Sequence, residues 1–256
     1  MTRLAPEFRR VPLAHRGYHD LTDSRPENSF AAFRAAIEHG YGIELDVQLT
    51  SDDRPVVFHD YEMSRLTREK GPVRQRSLAD LGTTRLTGGS DTIPSLDEVL
   101  ALVAGQVPLL IEIKDQDGGM GPNVGPLEES VAEALKPYDG PVAVMSFNPN
   151  AVARMASLSP ETPRGIVTSA YRKDDWKLLS ASTRNRLRSI PDFEVLNCDF
   201  ISHEADDLDR PRVAQLKSKG AAILCWTIRS AEQEAAARKV ADNITFEGYA
   251  AALPDT

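Results

Sequence analysis

The sequence predicts an α/β fold in which parallel strands alternate with helices. Short β-branched runs recur along the chain, and longer stretches with helical hydrophobic spacing separate them. The length of 256 residues also suits a single barrel domain, which typically has about 250. If the parallel sheet closes on itself, the fold is a (β/α)8 TIM barrel. If it stays open, the fold is a doubly wound sheet. No G-x-G-x-x-G motif follows the first strand, which weakens a dinucleotide-binding version.

Eight strands are predicted for the sheet, with one short additional strand. The eight lie at residues 11–15, 42–48, 107–114, 142–146, 165–168, 194–199, 222–228 and 243–246. The additional strand covers residues 55–59, directly after the second. Helical spacing falls between the strands, at residues 29–40, 95–104, 127–138, 150–158, 210–219 and 231–240. A further helical pattern at 174–187 is interrupted by serine and threonine.

The predicted helices carry recognisable end signals. Asn28 or Ser29 suits the N-cap of the first helix, and Gly40 suits its C-terminal end.

One stretch, residues 60–93, breaks the alternation of strands and helices between the second and third predicted strands. We interpret it as an inserted subdomain, because structureless loops of that length are uncommon. With no repeat or linker, residues 1–256 form one predicted domain.

Composition and charge exclude several classes of protein. With 41% hydrophobic and 27% charged residues, the chain is neither disordered nor collagen-like, and two cysteines specify no disulfide framework. A net charge of −8 makes nucleic acid or an anionic membrane a poor partner. No apolar stretch approaches the roughly 20 residues of a membrane helix, and no signal-peptide pattern is present. We expect a cytoplasmic protein without a stable membrane anchor, and its oligomeric state stays open.

Charged residues occur in two strands that should be continuously apolar. Side chains alternate along a strand, so residues 43–47 (IELDV) place Glu44 and Asp46 on one face. The same alternation puts Glu112 and Lys114 together on the third predicted strand. If the apolar side chains face the helices, these four face the barrel interior. They then converge at the mouth where barrel enzymes hold their active sites.

Three converging carboxylates need a counter-charge, because buried like charges repel one another. A hard divalent cation, Mg²⁺ or Ca²⁺, would hold oxygen ligands of this kind. The alternative is an internal salt-bridge network. In that network Lys114 balances one carboxylate and Arg16 another. We favour the metal, since the two cations do not balance all three carboxylates.

Two histidines extend this pattern. His15 ends the first predicted strand and His59 ends the short additional one, so both imidazoles reach the same mouth. A pair of imidazoles can act as general base and general acid near neutral pH. His19 and His39 lack such a context, and His203 is a weaker candidate beyond the sixth predicted strand.

An ordered set of motifs resembles the glycerophosphodiester phosphodiesterase family, whose domain is similar to phosphatidylinositol-specific phospholipase C barrels. The motifs are AHRG at 14–17, PENS at 26–29, ELDV at 44–47, VFHD at 57–60, GP at 71–72, IPSL at 93–96, EIK at 112–114 and CWT at 225–227. They occur in the family's order over nearly the whole chain. The resemblance implies a TIM barrel with a small insertion after the second strand.

The resemblance also implies roles for individual residues. Glu44, Asp46 and Glu112 match divalent-metal ligands, and His15 and His59 match the general base and general acid. Arg16 and Lys114 match groups that hold the phosphate. Trp226 matches an aromatic that packs on the glycerol of the substrate, with plain core packing as the alternative. The chain departs from the family at residues 243–247 (NITFE), where an Asp often stands after strand eight. We expect this departure to affect only the headgroup side of the pocket.

The implied reaction is metal-dependent hydrolysis of a small glycerophosphodiester to glycerol 3-phosphate and an alcohol. Two alternatives stay open: a phospholipase D- or C-like enzyme acting on lysophospholipids, and a non-catalytic ligand-binding barrel. The lipid-directed version requires an apolar rim, which loops could build without leaving a sequence signal. Residues 115–125, rich in glycine, are a candidate lid, and residues 171–176 could present an aromatic to the substrate.

Overall fold

The computed structural model describes residues 2–254, and within that range eight parallel strands close into a barrel. These eight and one short antiparallel strand, β3, are Leu13–Ala14 (β1), Gly42–Leu49 (β2), Pro55–Val57 (β3), Leu109–Ile113 (β4), Val142–Ser146 (β5), Arg164–Thr168 (β6), Phe200–Glu204 (β7), Ala222–Ile228 (β8) and Asn243–Phe246 (β9). β1 pairs in parallel with both β2 and β9, which closes the barrel. β3 lies antiparallel on β2, outside the closed ring. The predicted TIM barrel is confirmed.

The helices surround the barrel or lie in its connections. They are Glu7–Arg10 (α1), Phe30–Glu38 (α2), Leu78–Leu81 (α3), Leu96–Val103 (α4), Pro126–Leu135 (α5), Pro149–Leu158 (α6), Ala181–Arg188 (α7), Asp192–Val195 (α8), Pro211–Ser218 (α9) and Ala231–Ala237 (α10). Ser29, rather than Asn28, caps α2 by accepting a hydrogen bond from the Ala32 amide. The helix predicted at 174–187 begins only at Ala181, because the Ser180 side chain is its N-cap.

The strand predicted at residues 194–199 is wrong. The single-turn helix α8 occupies the start of this segment, and β7 begins only at Phe200. Pro191 precedes α8 in a helical conformation, and its fixed φ favours a helix start. Asp199 accepts hydrogen bonds from the amides of Arg164 at 3.1 Å and Arg3 at 2.7 Å. It therefore ties the N-terminal segment to the barrel.

Apolar side chains fill the lower half of the barrel and leave the charged residues at its mouth. Leu110 and Phe200 are fully buried inside, and Phe8 of α1 closes the bottom. Gly165 on β6 makes room for the Phe200 ring, since a Cβ there would lie 2.4 Å from it. Because apolar packing occupies the bottom, polar groups of the strands can converge only at the opposite end.

The inserted segment 60–93 carries its own small apolar core. Met63, Leu81 and Ile93 are almost completely buried there, against Phe58 at the end of the β2–β3 hairpin. The packing fixes the insertion to the strand that leads to His59. Across residues 2–254, no helix has both the length and the apolar character needed to cross a bilayer.

Candidate active site

Three carboxylates meet at the barrel mouth as the alternation in β2 predicts. Asp46 is the register partner of Glu112 across the β2–β4 pair. Oxygen atoms of Glu44, Asp46 and Glu112 lie within 4.8 Å of one another. All three side chains are buried. Lys114 joins them, with its Nζ 3.1 Å from Asp46 Oδ1 and 2.8 Å from Glu112 Oε1.

The pKa values of Glu44 and Asp46 are shifted in opposite directions. Burial, reinforced by the charges of Asp46 and Glu112, raises the pKa of Glu44 well above its ordinary range. Burial also opposes ionisation of Asp46, but Lys114, His59 and Arg16 together hold its pKa far below the usual value. The ammonium of Lys114 therefore pairs with the carboxylates of Asp46 and Glu112. Within residues 2–254, the carboxylate of Glu44 accepts one hydrogen bond, from the Arg16 amide at 3.0 Å.

This arrangement fits a hard divalent cation. The donor set is entirely carboxylate oxygen, which suits Mg²⁺, Ca²⁺ or Mn²⁺. The alternative salt-bridge network of Lys114 and Arg16 exists, but the Arg16 charge and amide do not offset the burial of Glu44, whose pKa stays raised. A cation between Glu44, Asp46 and Glu112 would supply positive charge beside Glu44. It would thereby offset the cost of burying the ionised Glu44 carboxylate, which raises its pKa.

Arg16 is held at the edge of the cluster by Asp46 and by Glu27, which the sequence analysis did not assign to the site. Its Nη1 donates to Glu27 Oε1 at 2.7 Å, and its Nε lies 3.4 Å from Asp46 Oδ2. Asn28 donates from Nδ2 to the same Asp46 oxygen at 3.0 Å. Both Arg16 and Asn28 have positive φ, near 55°, a strained conformation that recurs at functional sites.

His15 is paired with a carboxylate from the last strand segment. Its Nδ1 lies 2.5 Å from Glu247 Oε2, and His19 Nε2 lies 3.7 Å from the same oxygen. Burial lowers the pKa of His15 below its ordinary value, although Glu247 opposes this shift. The hydrogen bond to His15 keeps the pKa of Glu247 far below the usual range. The expectation that residues 243–247 affect only the headgroup side is therefore wrong, because Glu247 contacts a candidate catalytic histidine.

His59 has an equivalent partner in the next residue. Its Nδ1 lies 2.6 Å from Asp60 Oδ1. Arg65 of the inserted segment donates to Asp60 at 2.6 and 2.8 Å and to Glu27 at 2.8 and 2.9 Å. One continuous chain of alternating charges thus connects His59, through Asp60, Arg65 and Glu27, to Arg16.

Both histidines place Nδ1 against a carboxylate, so Nδ1 carries a proton and donates it to that carboxylate whether the ring is neutral or an imidazolium. The Nε2 atoms of His15 and His59 are then left to exchange protons with a bound molecule. An imidazole oriented in this way is suited to general acid or base catalysis.

The two remaining candidates, Trp226 and His203, lie in different surroundings. Trp226 is half-buried on β8, donates to the Ser202 carbonyl at 3.0 Å and packs edge-on against Phe147. It borders the mouth, so its contact with glycerol stays a prediction. His203 is fully buried and hydrogen-bonded to Thr168 Oγ1 at 2.7 Å and the Asp207 carbonyl at 3.1 Å. It stabilises β6 and β7 and takes no part in the mouth.

Sequence reasoning missed Glu27, Asn28, Asp60, Arg65 and Glu247. Asp60 and Glu247 had a usable signal, since each stands at the end of a strand that reaches the mouth. Glu27 and Asn28 lie within a motif but outside any strand. Arg65 had no signal, because its contact depends on how the insertion folds back.

Comparison with known proteins agrees with the fold and identifies the family of the chain. The model of the glycerophosphoryl diester phosphodiesterase family matches residues 15–243. YhdW of Bacillus subtilis, a provisionally named glycerophosphodiester phosphodiesterase, is 30% identical over 95% of this chain and 94% of its own length. A phosphodiesterase of Oleispira antarctica, solved in complex with the product sn-glycerol 3-phosphate, is 28% identical with a TM-score of 0.72, over 93% of this chain and 92% of that one. A Thermotoga maritima glycerophosphodiester phosphodiesterase has the same fold, with 23% identity and a TM-score of 0.70 over 92% of this chain and 94% of that one. The chain belongs to the glycerophosphoryl diester phosphodiesterase family, a family of phosphoric diester hydrolases.

Proposed function

We propose that the protein hydrolyses glycerophosphodiesters to glycerol 3-phosphate and an alcohol. One observation carries this proposal: two carboxylate-paired imidazoles stand at the same barrel mouth as three carboxylates, Arg16 and Lys114. A phosphodiester is an anion that repels nucleophiles, so its hydrolysis needs positive charge and paired proton transfer. The related Oleispira antarctica enzyme binds sn-glycerol 3-phosphate as product, which supports the same product class.

In this proposal Glu44, Asp46 and Glu112 hold a divalent cation, which would neutralise phosphate charge when bound. Arg16 and Lys114 hold the remaining phosphate oxygens. Both side chains are already held by carboxylates before the substrate binds. Such fixed charges stabilise the transition state without reorganisation.

We assign His15 as the general base and His59 as the general acid. His15 has a pKa lowered by burial, so it is neutral and ready to accept a proton near pH 7. Its Nε2 removes the proton of the attacking hydroxyl, and Glu247 stabilises the imidazolium that forms. His59 protonates the leaving alcohol from Nε2, with Asp60 holding the ring. We further propose that the attacking group is the glycerol 2-hydroxyl, which gives a cyclic phosphate that water then opens by the reverse proton transfers.

A coupled assay for glycerol 3-phosphate tests the function, with Mg²⁺, Ca²⁺ or Mn²⁺ supplied separately and chelator as control. We expect activity that chelation abolishes, and a loss of about 10²–10⁴-fold in His59→Ala. Activity surviving both treatments would contradict the metal-plus-imidazole mechanism.

A substrate analogue tests the attacking group. A substrate lacking the 2-hydroxyl should be inert, and its normal turnover would show that water attacks directly. No activity on any headgroup would favour the binding-barrel alternative.

A further inference from the structure

An apolar cavity of about 450 Å³ opens at the barrel mouth beside the candidate active site. Its walls come from three loops: the inserted segment after β3, the loop after β4, and the loop after β6. Tyr61, Met120, Trp176 and Leu179 line it. Leu178 at its rim is 92% exposed and Tyr61 is 53% exposed, an unusual display of apolar surface for loop residues.

The floor of this cavity is continuous with the catalytic groups. Gln48 stands two residues after Asp46 on the same face of β2, and its Nε2 donates to the His59 carbonyl at 3.0 Å. Gln116 donates to Gln48 Oε1 at 3.0 Å and to the Lys114 carbonyl at 3.1 Å. The cavity therefore lies within one side chain of His59, close enough for a molecule that reacts at His59 to reach it.

Two of the carboxylates around the cavity are already engaged by the protein. Asp115 accepts hydrogen bonds from Asn148 Nδ2 at 2.8 Å and from the Met120 amide at 3.1 Å. Asp117 accepts from the amides of Gly119 at 3.1 Å and Gly121 at 2.9 Å. These contacts order the loop at 115–125. Arg74, Asp175 and Lys177 also line the cavity, but most of its lining surface is apolar and suits an apolar guest.

We propose that this cavity receives the leaving alcohol and selects alcohols that carry an aliphatic chain. The inference rests on the proposed function and on His59 as the acid that protonates the leaving group. The Phe147 ring lies between Trp226 and the cavity residue Trp176, with ring centroids at 5.5 and 5.0 Å respectively. In this proposal glycerol binds on the Trp226 side and the alcohol on the Trp176 side.

The test is a chain-length series of glycerol 3-phosphate esters, from ethyl to octyl, kept below micelle-forming concentrations. These alcohols are leaving groups of nearly equal acidity, so differences in kcat/KM report binding in the cavity. We expect kcat/KM to rise by up to about fourfold per methylene until the cavity is filled. Equal kcat/KM for the ethyl and octyl esters would overturn the proposal. Turnover of none of the esters would overturn the proposed function as well.

Variants assign the effect to the cavity. Trp176→Ser and Leu178→Ser should each lower the octyl-to-ethyl ratio of kcat/KM. Leu178 is so exposed that its substitution should leave the fold intact, which thermal unfolding checks. Val195→Ser, on the distant helix α8, removes an apolar residue that is 80% exposed and should leave the ratio unchanged. Unchanged ratios in both cavity variants would count against the proposal.

A charged headgroup is the competing possibility, because aromatic rings also bind quaternary ammonium. The choline ester and its uncharged 3,3-dimethylbutyl isostere separate the two. An apolar cavity gives the neutral ester the lower KM. A KM about tenfold lower for the choline ester would show that the cavity recognises a cation and would overturn the proposal.

Discussion

His15 and Glu247 join the two strands whose pairing closes the barrel. His15 directly follows β1 and Glu247 directly follows β9, and their side chains meet at 2.5 Å. The position of the candidate base is thus set by barrel closure itself. Arg229, at the end of β8, holds the other Glu247 oxygen at 2.7 Å, which extends the contact to a third strand.

Glu247 variants should alter both the rate and the pH dependence. The carboxylate stabilises the protonated form of His15, so removing its charge lowers the His15 pKa further. A general base must be neutral, so in Glu247→Gln the acidic limb of the kcat/KM profile should move to lower pH. Glu247→Ala also loses the ring orientation and should lower kcat by about 10²-fold. A limb that moves to higher pH would show that His15 is not the base.

Arg65→Gln should slow turnover although Arg65 lies outside the mouth. Arg65 fixes both Asp60, which orients His59, and Glu27, which orients Arg16. We expect kcat to fall about tenfold or more with a smaller change in KM. Arg54→Gln is the matched control, since Arg54 forms a half-exposed ion pair with Asp97 away from the site. Equal effects in the two variants would mean that the loss is only one of surface charge.

Glu44→Gln should stabilise the metal-free protein at alkaline pH. Because the folded-state pKa of Glu44 is raised, folding favours its protonated form, and stability falls as pH rises from its ordinary pKa through the folded value. The variant removes that loss, so with chelator its Tm should exceed the native Tm at pH 8 and equal it near pH 4. Each kcal/mol gained corresponds to about 2–4 °C.

The same Glu44→Gln variant should lose the stabilisation that divalent cations give to the native protein. Glu133→Gln, at an exposed helix position, serves as the charge control and should respond to metal normally. A variant whose Tm still rises with metal as in the native protein would show that Glu44 is not a ligand.

Gly165→Ala tests the packing beneath the site. The added methyl would lie 2.4 Å from the Phe200 ring inside the barrel, so one of them must move. We expect a loss of about 1–3 kcal/mol in the free energy of unfolding, measured in urea. Phe200→Leu in the same chain should recover part of that loss. No recovery in the double variant would place the cost in the backbone of β6 instead.

Much of the fold and the centre of the site could be predicted because both follow from alternation. In β2, Glu44 and Asp46 lie on the face opposite an apolar row, so the barrel mouth was the expected place for both carboxylates. The histidines followed from their positions at strand ends. The strand at 200–204 was missed because the preceding segment has similar apolar content, and only Pro191 favours the helix that forms there.

The supporting residues of the site depend on contacts over long sequence separations. Glu247 meets a residue 232 positions away, and Arg65 meets Glu27 at a separation of 38. Neither local spacing nor periodicity reports such contacts. The cavity beside His59 was equally hidden, since three loops from different parts of the chain build it.

The place of Arg65 on the inserted segment has a consequence for protein engineering. Residues 60–93 could be exchanged between relatives as one piece. That piece includes Arg65, whose guanidinium holds Asp60 beside the proposed acid His59 and Glu27 beside the proposed phosphate-binding Arg16. Chimaeras that omit an equivalent arginine should therefore lose turnover along with selectivity, and restoring that one side chain is the first repair to make.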